Sequence, residues 1–310
     1  MLEPRTHSIA CANPTGIHRM AYYEWGDPTG DEVVLCVHGL TRTGRDFDVL
    51  ASRLAQRYRV VSPDVVGRGL SDWLLQPLSY AVPQYVSDMV TLIGRLQPKK
   101  LHWVGTSMGG LMAMSYAALV AQSKSALTQT PPARLTHTIG EPVVPISRLV
   151  LNDVGPRVEP VSLSRIGQYL AQDLRFERYE EAVAYMKETA ATFGPHTEQQ
   201  WDLLTRHYFV PKEGHWVKHY DPSIAKAFAN VSEELMNKGE SLLWGAFHAV
   251  NAPTLILHGA QSDLLSQKTV QQMLSVNPLA RQVDFEGVGH APSLIVDNQV
   301  QIVVDFLEEA

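Results

Sequence analysis

Short apolar runs alternate with amphipathic stretches along most of the chain. Val33–Val37 is continuously apolar, and the other runs have a short apolar centre: Tyr58–Ser62, Leu101–Val104, Arg148–Asn152 and Thr254–His258. Runs of this length and composition are typical of strands covered on both faces. Between them, stretches such as Tyr85–Leu96 carry apolar residues at helical spacing, which Pro98 ends. Strands that alternate with helices predict an open α/β fold with a mostly parallel, doubly wound sheet.

The alternation is interrupted once in the second half of the chain. From Ser164 to about Gly245 the sequence is mostly amphipathic helix, rich in aromatic residues and without strand alternation. We therefore predict a core of residues 1–156 and 246–310, with residues 157–245 inserted as a helical cap over one edge of the sheet. Met1–Arg19 is predicted to be a polar lead-in, and the proline-containing segment Gln122–Ser147 a long surface loop.

Composition narrows the class of protein. At 310 residues, with 45% apolar and 19% charged residues, the chain can bury a large core. The net charge of -6, without a basic cluster, argues against nucleic acid or an anionic membrane as a partner. The first twenty residues, Met1–Met20, contain no apolar core of signal-peptide length, and no run reaches the ~18 apolar residues of a membrane span. With only Cys11 and Cys36, we expect a reduced, cytoplasmic protein without structural disulfides.

The candidate nucleophile is Ser107, in the sequence Gly105-Thr-Ser-Met-Gly109. An apolar strand enters this segment and a helix rich in Ala, Met and Leu leaves it. Such a strand–turn–helix passage holds the serine in a strained conformation with its hydroxyl exposed. Glycines are needed on both sides because a side chain there would collide with a neighbouring strand or helix.

A serine nucleophile needs a base, and His290 is the best candidate among 12 histidines. It lies in a glycine-flanked loop after the last predicted strand. His258 is interpreted as a satisfied core histidine and His38 as a structural one. His215 and His219 have i, i+4 spacing but no third ligand nearby, so a solvated helix face is favoured over a metal site. We expect neither a metal nor an organic cofactor.

The base needs an acid to fix its tautomer, and two aspartates compete. Asp263 follows the strand Thr254–His258 and precedes His290 by 27 residues, which leaves space for one helix and one strand. It is the preferred candidate. Asp153, at the end of the preceding strand, is the alternative. Asp64 is interpreted as a turn residue that orders the loop containing Gly67 and Gly69. The oxyanion hole is expected to combine the backbone amides of Leu40 and Met108.

Taken together, these motifs resemble the α/β-hydrolase superfamily from Met20 onwards. The matching positions are His38-Gly39, Asp64-x-x-Gly67-x-Gly69-x-Ser71, Gly105-x-Ser107-x-Gly109, Asp263 and Gly289-His290. The cap and the Ser-Met-Gly-Gly turn are similar to a capped serine-hydrolase branch that includes carboxylesterases and meta-cleavage-product hydrolases. Epoxide hydrolases and haloalkane dehalogenases use an aspartate nucleophile, which Ser107 argues against.

The resemblance implies a serine hydrolase that cleaves a small or medium apolar carboxylic ester through an acyl-enzyme. An alternative is carbon–carbon bond hydrolysis of meta-cleavage products. Those enzymes usually carry Asn before the serine and an aromatic residue after the histidine, where this chain has Thr106 and Ala291. A non-catalytic ligand receptor is a further alternative. The expected partner is a small-molecule ester, and the sequence leaves a homodimer open.

Overall fold

A mixed sheet runs through the centre of the protein. The computed structural model describes residues 1–129, 144–170, 172–227 and 233–309. Within these residues, the central sheet has eight strands: β1 (Arg5–Asn13), β2 (Gly16–Trp25), β3 (Glu32–Val37), β4 (Arg59–Pro63), β5 (Lys100–Thr106), β6 (Ile146–Asn152), β10 (Thr254–Gly259) and β11 (Ala280–Phe285). Their order is β1-β2-β4-β3-β5-β6-β10-β11. The β1–β2 and β2–β4 pairs are antiparallel and all others parallel, which confirms the predicted α/β fold.

Helices cover both faces of this sheet. They are α1 (Asp48–Leu54), α2 (Val82–Leu96), α3 (Met108–Gln129), α8 (Gln267–Val276) and α9 (Asp297–Glu308). Successive residues of β3 enter two different cores: Val33 and Leu35 pack with α2 and α3, whereas Val34 packs with α1 and α9. Burial on both faces explains why this strand is continuously apolar in sequence.

The described residues between β6 and β10 form four α-helices: α4 (Pro160–Leu170), α5 (Tyr179–Thr189), α6 (Glu198–Thr205) and α7 (Glu233–His248). It also contains a small antiparallel sheet of β7 (Arg175–Phe176), β8 (Phe209–Lys212) and β9 (His215–Lys218). The expectation of a strand-free cap is therefore wrong. The β8–β9 hairpin turns at Glu213 and Gly214, which both have positive φ, as a two-residue hairpin turn requires. The division at residues 157 and 245 stays a prediction, and α7, which crosses its second boundary, packs against α3.

Two other sequence expectations change. Met1–Arg19 is not a mere lead-in, because β1 pairs with β2 along its whole length as the edge of the sheet. Its side chains are mostly exposed, so the run carries no apolar signal. The predicted loop Gln122–Ser147 is shorter than expected, since α3 continues to Gln129 and β6 begins at Ile146. Residues 130–143 of that loop lie outside the described residues.

A helix that crosses a lipid bilayer needs about 20 mainly apolar residues. In the described part of the chain, no helix combines the length and the apolar character needed to cross a membrane.

Candidate active site

Ser107 occupies the sharp turn between β5 and α3. Its φ is +51°, a left-handed conformation that a non-glycine residue rarely adopts, as the sequence predicted. The two flanking glycines are sterically required. A Cβ on Gly105 would lie 2.5 Å from the backbone of Gly109, and one on Gly109 would lie 2.0 Å from the Val37 carbonyl oxygen. The start of α3 can therefore pack against β5 and β3 only with glycine at both positions.

His290 forms a hydrogen bond on each side of its ring. Its Nε2 lies 3.0 Å from Ser107 Oγ, and its Nδ1 lies 2.7 Å from Asp153 Oδ2. An ionised carboxylate only accepts, so Nδ1 carries the proton and Nε2 is free to accept from the serine hydroxyl. The Asp153 side chain is completely buried and that of His290 is 14% exposed. This is the tautomer that a histidine base needs.

Asp153 is held more firmly than an ordinary turn residue. It directly follows β6 with a φ of +53°. Its Oδ1 accepts from the Gly259 amide at 2.9 Å, and its Oδ2 also accepts from the Ser262 hydroxyl at 2.6 Å. Both donors lie at or just after the end of β10, the strand next to β6. Fixed donors of this kind keep the buried carboxylate oriented toward His290.

The sequence-based preference for Asp263 as the partner of His290 is wrong. Asp263 instead accepts two hydrogen bonds from Arg165 of α4, at 2.7 and 2.8 Å, and its side chain is 40% exposed. Because β6 and β10 are neighbouring parallel strands, Asp153 and Asp263 both follow strands that end at the same edge of the sheet. Spacing along the chain cannot separate them, and the alternative candidate, Asp153, occupies the position beside His290.

Asn152 is a site residue that the sequence reasoning missed. Its side-chain amide donates to Thr106 Oγ1 at 3.0 Å and to the Pro292 carbonyl at 2.8 Å. Its own carbonyl accepts from the Ser107 amide at 3.0 Å. Asn152 thus connects the serine turn to the loop that carries His290. The only sign of Asn152 in the sequence is that a polar residue stands at the end of a buried strand.

The two amides expected to form the oxyanion hole are available. Leu40 lines the same cavity as Ser107, and Met108 begins α3. In the turns, loops and helix caps of the described residues, neither the Leu40 amide nor the Met108 amide donates to a backbone carbonyl. Each would otherwise be an unsatisfied donor beside the serine. Their role stays a prediction that this arrangement favours.

His38 supports the Leu40 loop from below. Its Nε2 accepts from the Val65 amide at 2.9 Å, and its Nδ1 donates to the Gly39 carbonyl at 2.7 Å. Burial lowers the pKa of His38 to about 3, so the ring is neutral. The predicted structural role of His38 agrees with these contacts.

Asp64 and His258 are also held by local contacts. Asp64 accepts from the amides of Gly44 and Leu70, each at 2.8 Å, and burial raises the pKa of its carboxyl to about 6. It therefore orders its loop, as predicted. His258 lies 2.7 Å from an Asp284 carboxylate oxygen and 3.0 Å from the Leu265 carbonyl, which confirms the interpretation as a satisfied histidine.

The remaining histidine pair does not share a helix face. His215 begins strand β9, and His219 follows the end of that strand. The ring of His219 is 3.3 Å from the His207 carbonyl. The predicted helix face is therefore wrong, because a hairpin replaces the helix here.

A cavity of about 340 Å³ opens onto Ser107 and His290. The cap contributes most of its apolar and aromatic wall: Ile166, Tyr169, Tyr185, Met186, Phe193 and Tyr208. Two arginines, Arg42 and Arg165, also line it, whereas no carboxylate among the described residues does. The cavity is thus small and mainly apolar, with two arginine side chains in its wall.

One cluster elsewhere has the residue types of a metal site. Cys11, His18 and Asp88 are buried, with one potential ligand atom from each within 4.8 Å of the others, the one such group found in the described ranges. The Asn13 amide donates to His18 Nδ1, so Nε2 holds the proton that bonds to Asp88 at 3.1 Å. Burial and Asp88 raise the pKa of Cys11 to about 12. A metal would have to displace both protons, and the hydrogen bonds already fit these side chains.

Comparison with known proteins agrees with this geometry. A family model described as the alpha/beta hydrolase family matches residues 34–305. The chain is 44% identical to a 3-hydroxybutyrate-oligomer hydrolase of Cupriavidus necator, over 99% of both proteins. It superposes on an α/β hydrolase of Novosphingobium aromaticivorans with a TM-score of 0.80, 31% identity and 99% coverage of both chains. A putative hydrolase of Rickettsia typhi gives a TM-score of 0.82 at 28% identity, with both chains fully covered. The chain therefore belongs to the α/β-hydrolase family.

Proposed function

We propose that the protein is a serine esterase that cleaves short esters of hydroxy acids through an acyl-enzyme. The observation that carries the proposal is the position of His290, hydrogen-bonded to Ser107 on one side and to buried Asp153 on the other. This arrangement gives a nucleophile, a base in the required tautomer and an acid that stabilises the imidazolium.

In the first half-reaction, Ser107 Oγ attacks the ester carbonyl carbon while its proton moves to His290 Nε2. The amides of Leu40 and Met108 would donate to the carbonyl oxygen as it becomes negative. The bond to the alcohol oxygen then breaks, and His290 returns its proton to that oxygen. Water repeats the sequence on the acyl-serine, which releases the acid and regenerates Ser107.

The relative from Cupriavidus necator suggests the substrate class. That protein is named for hydrolysis of 3-hydroxybutyrate oligomers, and its similarity extends over nearly the whole chain. A cavity of about 340 Å³ is at the lower end of the range for small-molecule sites and suits a short chain. Its apolar wall suits methyl-bearing units, and its two arginines suit an acid. We therefore propose short oligomers of 3-hydroxybutyrate, the dimer first, as substrates.

The test is hydrolysis of p-nitrophenyl butyrate and of the 3-hydroxybutyrate dimer by Ser107→Ala. We expect kcat to fall by at least about 10³-fold, and a fluorophosphonate probe to label the wild type but not the variant. Ser115→Ala is the matched control, because Ser115 lies two helical turns along α3 with its hydroxyl bonded to the Leu111 carbonyl. A Ser107→Ala protein that keeps near wild-type turnover would refute the acyl-enzyme mechanism.

A further inference from the structure

The two arginines of the cavity differ in how their donors are used. Arg42 has a carboxylate partner in Asp46, with Nε and Nη2 each 2.7 Å from its oxygens. Its Nη2 also donates to the Leu204 carbonyl at 2.9 Å, and its Nη1 faces the Met186 sulfur at 3.9 Å. The side chain is only 11% exposed. Arg42 therefore joins the core to the cap, and its donors already face protein atoms.

Arg165 uses only one of its two edges. Its Nε and Nη2 donate to the two oxygens of Asp263 at 2.7 and 2.8 Å. No other partner of its side chain is found among the described residues, and 46% of that side chain is exposed. A guanidinium that is paired through Nε and Nη2 retains a second planar fork, Nη1 and Nη2. A second fork of this kind matches the geometry of a carboxylate.

Arg165 lines the same cavity as Ser107 and His290, the residues proposed to react with the substrate. Arg165 and Tyr169 are one turn apart on α4, about 6 Å along the helix axis, and both line the cavity. The Tyr169 hydroxyl lies beside the Thr41 side chain, next to Leu40 of the expected oxyanion hole. In an ester whose alcohol part is a 3-hydroxy acid, two carbons separate the ester oxygen from the free carboxylate. A substrate this short can place its ester and its carboxylate in the one cavity that Ser107 and Arg165 both line.

We propose that Arg165 binds the free carboxylate of the substrate through this second fork, with Asp263 as its positioning residue. The inference rests on the proposed esterase function and adds its selectivity: esters with a free acid on the alcohol side are preferred over neutral ones. Among the described residues no carboxylate lines the cavity itself, and Asp263 bonds to the opposite edge of the Arg165 guanidinium from the proposed substrate fork. Asp263, which the sequence favoured as the catalytic acid, thus contributes to substrate selection by positioning Arg165.

The experiment compares the 3-hydroxybutyrate dimer with its methyl ester, which has the same internal ester bond and no free charge. Release of methyl 3-hydroxybutyrate measures cleavage of the internal bond alone, so hydrolysis of the terminal methyl ester is not counted. The readout is the ratio of kcat/KM for the acid to kcat/KM for the methyl ester. The wild type should favour the acid, and Arg165→Gln should lower the ratio at least tenfold, mainly through KM of the acid. Arg165→Lys should recover part of the ratio, because it keeps the charge but loses the fork. Asp263→Asn should raise KM for the acid without changing kcat.

Two controls sharpen the assignment. Arg175→Gln removes another exposed cap arginine, paired with Asp173 rather than placed in the cavity, and should leave the ratio unchanged. Arg42→Gln tests the other cavity arginine, and a ratio that falls there but not in Arg165→Gln overturns the assignment. Equal losses on both esters in Arg165→Gln, or a wild type without preference for the acid, also overturn it. A wild type inert toward both esters would instead refute the esterase function itself.

Discussion

Asp153→Asn should remove the group that fixes the tautomer of His290 while it leaves the shape of the site nearly unchanged. Asn and Asp have the same number of heavy atoms, so the result depends on which end of the amide faces the histidine. The Gly259 amide donates to Asp153 Oδ1 at 2.9 Å and will hold the single oxygen of the asparagine. The amide nitrogen then replaces Oδ2, opposite His290 Nδ1.

This orientation reverses the hydrogen bond to the base. The asparagine nitrogen donates, so His290 Nδ1 has to accept and the ring proton moves to Nε2. That proton points at Ser107 Oγ, 3.0 Å away, and Nε2 no longer has a lone pair with which to accept the serine proton. The corresponding change in a serine protease lowers kcat by about 10⁴-fold. The same factor corresponds to about 5 kcal/mol of transition-state stabilisation.

Asp263→Asn is the matched control, since it makes the same chemical change at the aspartate that the sequence favoured. Its pair with Arg165 is roughly two-fifths exposed on both sides, and exposed pairs contribute about 0–1 kcal/mol. On the neutral substrate p-nitrophenyl butyrate, we expect kcat to stay within a few-fold of wild type. Active-site titration with a fluorophosphonate would normalise both variants. The assignment of Asp153 as the acid would be incorrect if Asp153→Asn kept at least a tenth of wild-type kcat while Asp263→Asn lost nearly all activity.

Two further predictions concern stability. The pKa of His38 is lowered to about 3 from the ordinary 6.5, so His38 stabilises the fold fully above pH 6.5 and loses that contribution as the pH falls. Between pH 7 and 5 the free energy of unfolding of the wild type should fall by about 2 kcal/mol more than that of His38→Gln. Urea titrations at each pH measure this difference, and equal slopes of unfolding free energy against pH would contradict it. Gly109→Ala should cost about 1–3 kcal/mol or more and reduce turnover, because its Cβ would lie 2.0 Å from the Val37 oxygen. Gly94→Ala, in α2 with open space around it, should instead stabilise by about 0.5–1 kcal/mol; equal effects of the two changes on Tm would contradict the steric reasoning.

The parts of the site that could be predicted are those whose cause is local. Gly105, Ser107 and Gly109 are constrained by atoms within a few residues or in the adjacent strand, so the pattern itself carries the geometry. The acid is different, because its identity depends on which of two neighbouring strand ends faces the histidine loop. Asp153 and Asp263 have equivalent positions in sequence. Only the donors Gly259 and Ser262, contributed across the β6–β10 pair, decide between them.

The errors in the fold have a related cause. Strand β1 pairs at the sheet edge with mostly exposed side chains, so tertiary pairing rather than hydrophobic pattern defines it. In the cap, strands β8 and β9 have four residues each, too short for a period of two to stand out from the surrounding amphipathic helices. The buried strands β3 and β10 were predictable because helices cover both of their faces.

The loop that follows β10 joins two functions that the sequence could not separate. Gly259 and Ser262 donate to Asp153, the proposed acid, and Asp263, the next residue, accepts from Arg165 of the cap. A change in the position of this loop would therefore move the base through Asp153 and the proposed carboxylate-binding group through Arg165 together. Ser262 also accepts from the amides of Leu264 and Leu265, which closes the turn on itself and limits such movement. This coupling suits the proposed substrate, because the free carboxylate of a short hydroxy acid lies only two carbons from the scissile ester oxygen.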